Sequence, residues 1–257
     1  MSIAQIPSGR FIAVQGVNPG AGRSVVALNL AFELAGHGSR VLLIDLDTDW
    51  PSLHRYFAMG SAQAAVLAAC RFLEQQKLDA NNLENLAVRL IAKGASINFL
   101  SGYGLNTNPD AVNLATLEAL IGQLLTRFDY VVADTAANLR CDVAALASRL
   151  SDTAVAVTGP DAVSIGRFLE QQHQLPPARN RTLVVNRFRP GVLGARPEWQ
   201  LQQVLRQNTN HTSAAIIPQD EAFDAALLQA VPLRQVTTKA SALRAIGELA
   251  GGIVAGA

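Results

Sequence analysis

The sequence predicts an α/β fold: a doubly wound, mostly parallel sheet with helices on both faces. Three observations carry that prediction. A hydrophobic strand runs through a glycine-rich turn into a helix over residues 11–30, FIAVQGVNPGAGRSVVALNL. Two later strands end in acid, RVLLIDLDTDW at Asp45 and Asp47 and DYVVADT at Asp134. Short apolar runs alternate with helical stretches along the 257 residues, the order that builds a parallel sheet covered on both sides.

Taken in order, strands are expected at 11–15, 41–45, 97–100, 130–134, 153–158, 182–186 and 213–217. Helices are expected at 23–36, 61–76, 109–126, 139–149, 161–173, 197–207, 220–229 and 239–253. Gly36 marks the end of the first helix and Pro109 the start of the third. The segment 77–96 is polar and Asn-rich and is assigned no element, and QLPPARNR (174–181) reads as a surface connection. No repeat or linker divides the chain, so a single domain over 1–257 is expected, large enough to bury a sizeable core.

Composition narrows the classes. Apolar residues make up 49% and charged residues 16%, which excludes a disordered chain. A net charge of +1 gives no global pull toward nucleic acid or anionic membrane. The two cysteines, Cys70 and Cys141, fit a reducing compartment better than a disulfide framework. MSIAQIPSGR is short and polar and predicts no signal peptide. No run reaches the roughly 18–20 apolar residues of a membrane span. A cytoplasmic protein is expected.

The turn after the first strand carries the chemistry. Gly20 and Gly22 let the backbone fold around an anion, and the amides that open the helix, through Ala21, Ser24 and Val25, point at it. A phosphate loop asks for G-x-x-x-x-G-K-[ST], with lysine on the β/γ-phosphates and a hydroxyl on Mg²⁺. Gly22 and Ser24 match; Arg23 stands at the lysine and Val17 at the first glycine. Asp45, Asp47 and Asp134 follow at the carboxyl ends of strands, beside the mouth of such a loop, where Mg²⁺ and an attacking water belong. Helix capping is the alternative for any one of these acids. Asp47 is the candidate water-orienting carboxylate, Ser24, Asp47 and Asp134 are the candidate Mg²⁺ set, partly through water, and Asp45 is expected to stand behind them.

From about Phe11 to about Leu249 the chain resembles the MinD/ParA group of P-loop ATPases, whose loop reads KGGVGKT. In the aligned stretch VNPGAGRS, Asn18 falls on that group's signature lysine, Pro19 on a glycine and Arg23 on the phosphate lysine. Asn29 in ALNLA, the LLIDLD strand, Asp134, NRFRP (186–190) and IPQDEAFDAALLQAVPL (217–233) also match. The resemblance implies ATP and Mg²⁺ as cofactors and a homodimer with nucleotides in the shared interface. It implies that Asn186 reads adenine, with Arg187 beside it, and that backbone near Pro218 lines the base. The signature lysine crosses the dimer in relatives; Asn18 carries no charge. With both lysines replaced, ATP binding is expected to outlast fast hydrolysis.

Within that group the chain looks closest to degenerate branches, the cellulose-secretion BcsQ group and the pilus-assembly CpaE/TadZ group. The PSLHRYFAMG, NRFRPG and DEAF stretches lean toward BcsQ. The implied function is a dimeric scaffold or regulator of an envelope machine, recruited to the inner membrane through its partners. The alternative is a working ATPase for DNA partition or division-site placement. Direct membrane anchoring is disfavoured: the tail KASALRAIGELAGGIVAGA has only Lys239 and Arg244 as cations. Arg179, Arg181, Arg187, Arg189, Arg196 and Arg206 could contact nucleic-acid phosphates, with solvated loop arginines the favoured reading. Trp50 reads as a half-buried loop residue rather than a docking aromatic. Cys141 lies where the nitrogenase-reductase branch ligates a cluster, but Cys70 is too early in the chain to be its companion, so Cys141 reads as an apolar helix residue. The four histidines show no metal spacing.

Overall fold

A computed structural model of the chain describes residues 8–60, 63–102, 113–138, 141–190, 197–209 and 214–256. Eight strands form one sheet: β1 (Arg10–Gln15), β2 (Val41–Leu46), β3 (Val88–Ala92), β4 (Ala95–Leu100), β5 (Tyr130–Thr135), β6 (Thr153–Thr158), β7 (Asn180–Phe188) and β8 (Ala214–Pro218). Their order across the sheet is β3-β4-β2-β5-β1-β6-β7-β8. Every pairing is parallel except β3 with β4. The central strands read as unbroken apolar runs because both their faces are covered.

Alternation within those runs decides which layer each side chain joins. Ile12, Val14, Leu43 and Val132 point to one side, where α1 (Arg23–Gly36) and α10 (Ser241–Ala255) pack. Phe11, Ala13, Leu42, Ile44, Val131 and Ala133 point to the other, against α2 (Ala65–Glu74), α4 (Leu114–Leu124) and α5 (Asp142–Leu150). A third cluster joins Phe168 of α6 (Ala162–Gln171) and Leu201 and Leu205 of α7 (Pro197–Asn208) to β7. Near the loop, buried Asn29 on α1 donates Nδ2 to the Val25 carbonyl (2.8 Å) and accepts from the Leu233 amide (3.1 Å). Arg234 adds an ion pair to Glu33 at 2.7 Å. Together they tie the loop's helix to the short α9 (Leu233–Val236), which follows α8 (Glu221–Gln229).

The expected elements appear with ends shifted by a few residues, and three short α-helices or strands were missed, α9 among them. The polar segment 77–96 holds α3 (Ala80–Leu86) and β3, which pairs antiparallel with β4 across a turn at Gly94 (φ +80°). The strand escaped notice because it is a five-residue edge inside a polar segment, with Arg89 and Ile91 both exposed, so neither a long covered run nor a clean apolar–polar alternation marks it. The predicted starts at 61, 109 (Pro109), 139 and 213 lie outside the described residues, as do Arg196 and His211. Among the described residues no helix is long and apolar enough to cross a membrane.

Candidate functional site

The loop sits at the carboxyl end of β1, next to the ends of β5 and β6. Gly20 and Gly22 take positive φ, +76° and +90°, which side chains resist. Gly22 has a second reason to be glycine. A Cβ there would stand 2.3 Å from Nδ2 of Asn186, which donates to the Ala21 carbonyl at 2.8 Å. No side chain caps the start of α1 and no acid lies in its first turn, so its free amides remain available to an anion.

Arg23 does not point along the loop. Its stem crosses Gly16, where a Cβ would meet Val157 O at 2.5 Å and the Arg23 Cδ at 3.1 Å. The guanidinium donates through Nη1 to the Thr135 carbonyl, and Nη2 lies 3.9 Å from Asp47 Oδ2. Both partners are about nine-tenths buried. The Thr135 carbonyl had no signal in the sequence, because a backbone acceptor carries none. Asn18 is also engaged: Nδ2 donates to Thr158 Oγ1 (3.0 Å) and to the Ser164 carbonyl (2.9 Å).

Three carboxylates gather beneath. Asp45 and Asp134 are register partners on β2 and β5, both fully buried. Asp45 accepts from the amides of Asp47 and Leu53 (both 3.1 Å), pinning the two ends of the intervening loop. Burial and then the neighbouring Asp134 push its carboxyl well above the usual carboxylate range. Neither oxygen of Asp134 has a well-formed hydrogen bond, although the Ser24 hydroxyl lies beside it. Burial pushes it up to about 6, while Arg23 and the nearby Ser24 hydroxyl pull it back. Asp47 accepts from the amides of Asp49 (3.0 Å) and Trp50 (2.9 Å) through Oδ1. That turn throws Trp50 outward to 79% exposure, so the half-buried expectation is corrected.

The described residues contain no ready-made group of three metal-ligating side chains. Mg²⁺ needs none: it takes one or two carboxylates and completes its shell with water and phosphate oxygens. The unpartnered Asp134 carboxylate, the Ser24 hydroxyl beside it and the Oδ2 side of Asp47 supply the hard oxygen donors that fit it.

Val25, Asn186, Arg187 and Pro218 line one cavity of about 340 Å³ with Phe223 and Leu227. A second cavity of about 450 Å³ lies over Gly20, Ala21 and Gly159. Arg187 and Arg189 form a wall common to both. Arg187 sits at an irregularity in the β7–β8 pairing with φ +60°, a backbone state uncommon for arginine. The arginine cluster read from sequence is therefore divided. Arg179 (paired to Asp152, 2.7 Å) and Arg181 stand at the start of β7, while Arg187 and Arg189 stand at its far end. Cys70 is buried in the core, its thiol pushed up to about 11 by burial and then Glu74. Cys141 immediately precedes α5, with Sγ 3.4 Å from Thr48 Oγ1.

Comparison with known proteins agrees with this geometry. A family model described as cellulose biosynthesis protein BcsQ matches residues 10–252. EpsB of Ralstonia nicotianae is 29% identical over 188 residues, 71% of this chain and 23% of EpsB. The septum site-determining protein MinD of Synechocystis is 26% identical over 193 residues, 72% of this chain and 66% of MinD. The chain thus spans about a quarter of the one relative and about two thirds of the other. A ParA family ATPase from Chlorobium tepidum superposes with TM-score 0.79 at 18% identity, covering 95% of this chain and 98% of that one. MinD from Pyrococcus horikoshii, complexed with Mg-ADP, gives TM-score 0.75 at 19% identity and coverage of 96% and 98%. At such identities these two structures speak for the fold alone, the MinD/ParA P-loop fold.

Proposed function

The chain belongs to the cellulose biosynthesis protein BcsQ family, and on that footing we propose that it is an ATP-binding scaffold or regulator rather than a fast ATPase. The machine it serves is cellulose secretion across the envelope; pilus assembly is the related role that the sequence also resembles. It works as a homodimer, in the cytoplasm, and reaches the inner membrane through partners.

One observation carries this reading. At the two positions where the resembled ATPases have loop lysines, this chain has Asn18 and Arg23, and both side chains are bound to the protein itself. The parts that hold a nucleotide are present nonetheless. The Gly20 amide and those from Gly22 to Val25 bind phosphate oxygens, while the Ala21 amide closes the turn onto the Asn18 carbonyl (3.3 Å), and the cavity lined by Val25, Asn186, Arg187 and Pro218 takes the base. Ser24, Asp47 and Asp134 would hold Mg²⁺, which supplies charge neutralisation for the phosphates when bound. Asp47 orients water, but its carboxylate also holds two backbone amides and faces Arg23, so it is poorly free to do so. Hydrolysis is correspondingly slow.

Deletion of the gene in its own host tests the role. Secreted cellulose should fall severalfold and return with the wild-type gene, and the purified chain should sediment as a dimer with only modest dependence on ATP–Mg²⁺. Undiminished cellulose, or a strict monomer in every condition, would contradict the scaffold reading.

A further inference from the structure

We infer that Arg187 is a cation that grips the phosphates of the bound nucleotide, turned onto the loop by a bulge in β7. The inference rests on the nucleotide reading above and gives a phosphate role to a residue that would otherwise count only as a wall of the base cavity.

Successive side chains of a strand go to opposite faces. β7 obeys this up to Val185: Val184 joins the core beside α1, while Leu183 and Val185 join the cluster on the other face. Phe188 also joins that second cluster, although unbroken alternation would set it with Val184. The register explains the slip. Val185 pairs with Ile216 and Phe188 with Pro218, so Asn186 and Arg187 together stand opposite Ile217. Such a bulge re-aims a side chain. Both side chains of the bulge reach one point of the loop. From the place of a Cβ on Gly22, Asn186 Nδ2 lies at 2.3 Å and Arg187 Nη2 at 3.8 Å. The arrangement holds Arg187 at φ +60°, and strain of that kind persists where a ligand clamp requires it.

The neighbouring cations of the cleft are engaged. Arg23 donates to the Thr135 carbonyl and faces Asp47, and Arg189 donates Nε to Gln219 Oε1. The Arg187 guanidinium has no hydrogen bond or ion pair among the described residues. It lines both the cavity over Gly20 and Ala21 and the cavity beside Val25 and Pro218, so phosphates on the loop would run past it. The Tyr56 phenol registers the same placement: burial and then Asp134 raise it, while Arg187 lowers it more than Arg23 does. The charge of Arg187 thus acts across the mouth, toward the carboxylates. A guanidinium offers a planar fork of donors that matches phosphate oxygens. Stacked on the base, it would spend that fork on a neutral ring.

The test is titration of the full chain and of Arg187→Asn with ADP–Mg²⁺ by calorimetry, and with adenosine by saturation-transfer NMR. Asparagine accepts a left-handed backbone and removes the cation. ADP affinity should fall about tenfold or more in the variant, the loss expected for a charge-assisted hydrogen bond, while adenosine affinity stays within about threefold. Arg187→Lys should recover part of the ADP affinity, because it restores the charge without the fork. Should Arg187→Asn not fold, Arg187→Gly takes its place, since glycine meets no steric cost at this φ. Unchanged ADP affinity, or an equal fall for ADP and adenosine, overturns the inference. A wild-type chain that binds neither ligand, with no shift of melting temperature by either, strikes the nucleotide reading itself and is distinguishable from the other results.

Discussion

Asp134→Asn should make the protein more stable at neutral pH by about 2–3 kcal/mol, an increase in Tm of roughly 5–10 °C for a chain of this size. The cause is the unpartnered, buried carboxylate, which titrates near about 6 instead of 3.8. Below the unfolded value both states carry the proton and burial costs no ionisation. Between the two values only the unfolded chain is ionised, so folding stability is lost as pH rises. Above about 6 both states are ionised, and the folded one bears the full cost of a buried charge. Asparagine removes the ionisation, so its advantage should be largest above that value and fade toward pH 4. The same change should weaken the dependence of nucleotide affinity on Mg²⁺, with Ser24 and Asp47 left to hold the ion. Thermal melts of both proteins across pH 4–8 check the sign; a variant less stable at pH 7.5 contradicts the assignment of Asp134 as a charge held in reserve for a cation.

Gly22→Ala should abolish nucleotide binding while leaving a folded chain. A side chain at φ +90° costs about 1–3 kcal/mol, and the new methyl would lie 2.3 Å from Nδ2 of Asn186. Asn186 must then release the Ala21 carbonyl, and the loop and the base cavity are deformed together. Circular dichroism should show a normal fold with Tm lowered by several degrees. Calorimetric titration with ATP–Mg²⁺ should show no heat. An alanine variant that binds as well as the wild type would mean that the phosphate does not sit on this turn. Gly20→Ala is a useful companion, because nothing lies within 4 Å of its Cβ position and only the backbone strain remains.

Most of the fold was legible because both faces of the central strands are covered, so β1, β2, β5 and β6 stand out as apolar runs with glycine or acid at their ends. The edge hairpin was not legible. Half of β3 faces solvent, and its pairing is set by the turn at Gly94 and the register with β4, which no local pattern announces. At the site, residue types located the loop and the acids but not the direction of long side chains. Arg23 occupies its expected place in the chain, yet whether a guanidinium turns to phosphate or to Thr135 depends on a backbone carbonyl 112 residues away. The arginine cluster failed for a simpler reason: neighbours in sequence were separated by a nine-residue strand. The exposure of Trp50 followed from neither hydropathy nor family pattern, because it belongs to a turn in which the Asp49 and Trp50 amides both donate to Asp47.

The central claim is a site that keeps its nucleotide and scarcely turns it over. Titrating the full chain with ATP–Mg²⁺ in a calorimeter, and following phosphate release from the same mixture, tests it most directly. The account predicts saturable binding near one nucleotide per chain, with release on the order of 10⁻³ s⁻¹ or slower, the scale of a phosphate loop without its full set of stabilising cations. No heat and no shift in Tm with ATP or ADP, or sustained turnover above about 1 s⁻¹, the range of working phosphotransfer enzymes, would contradict it.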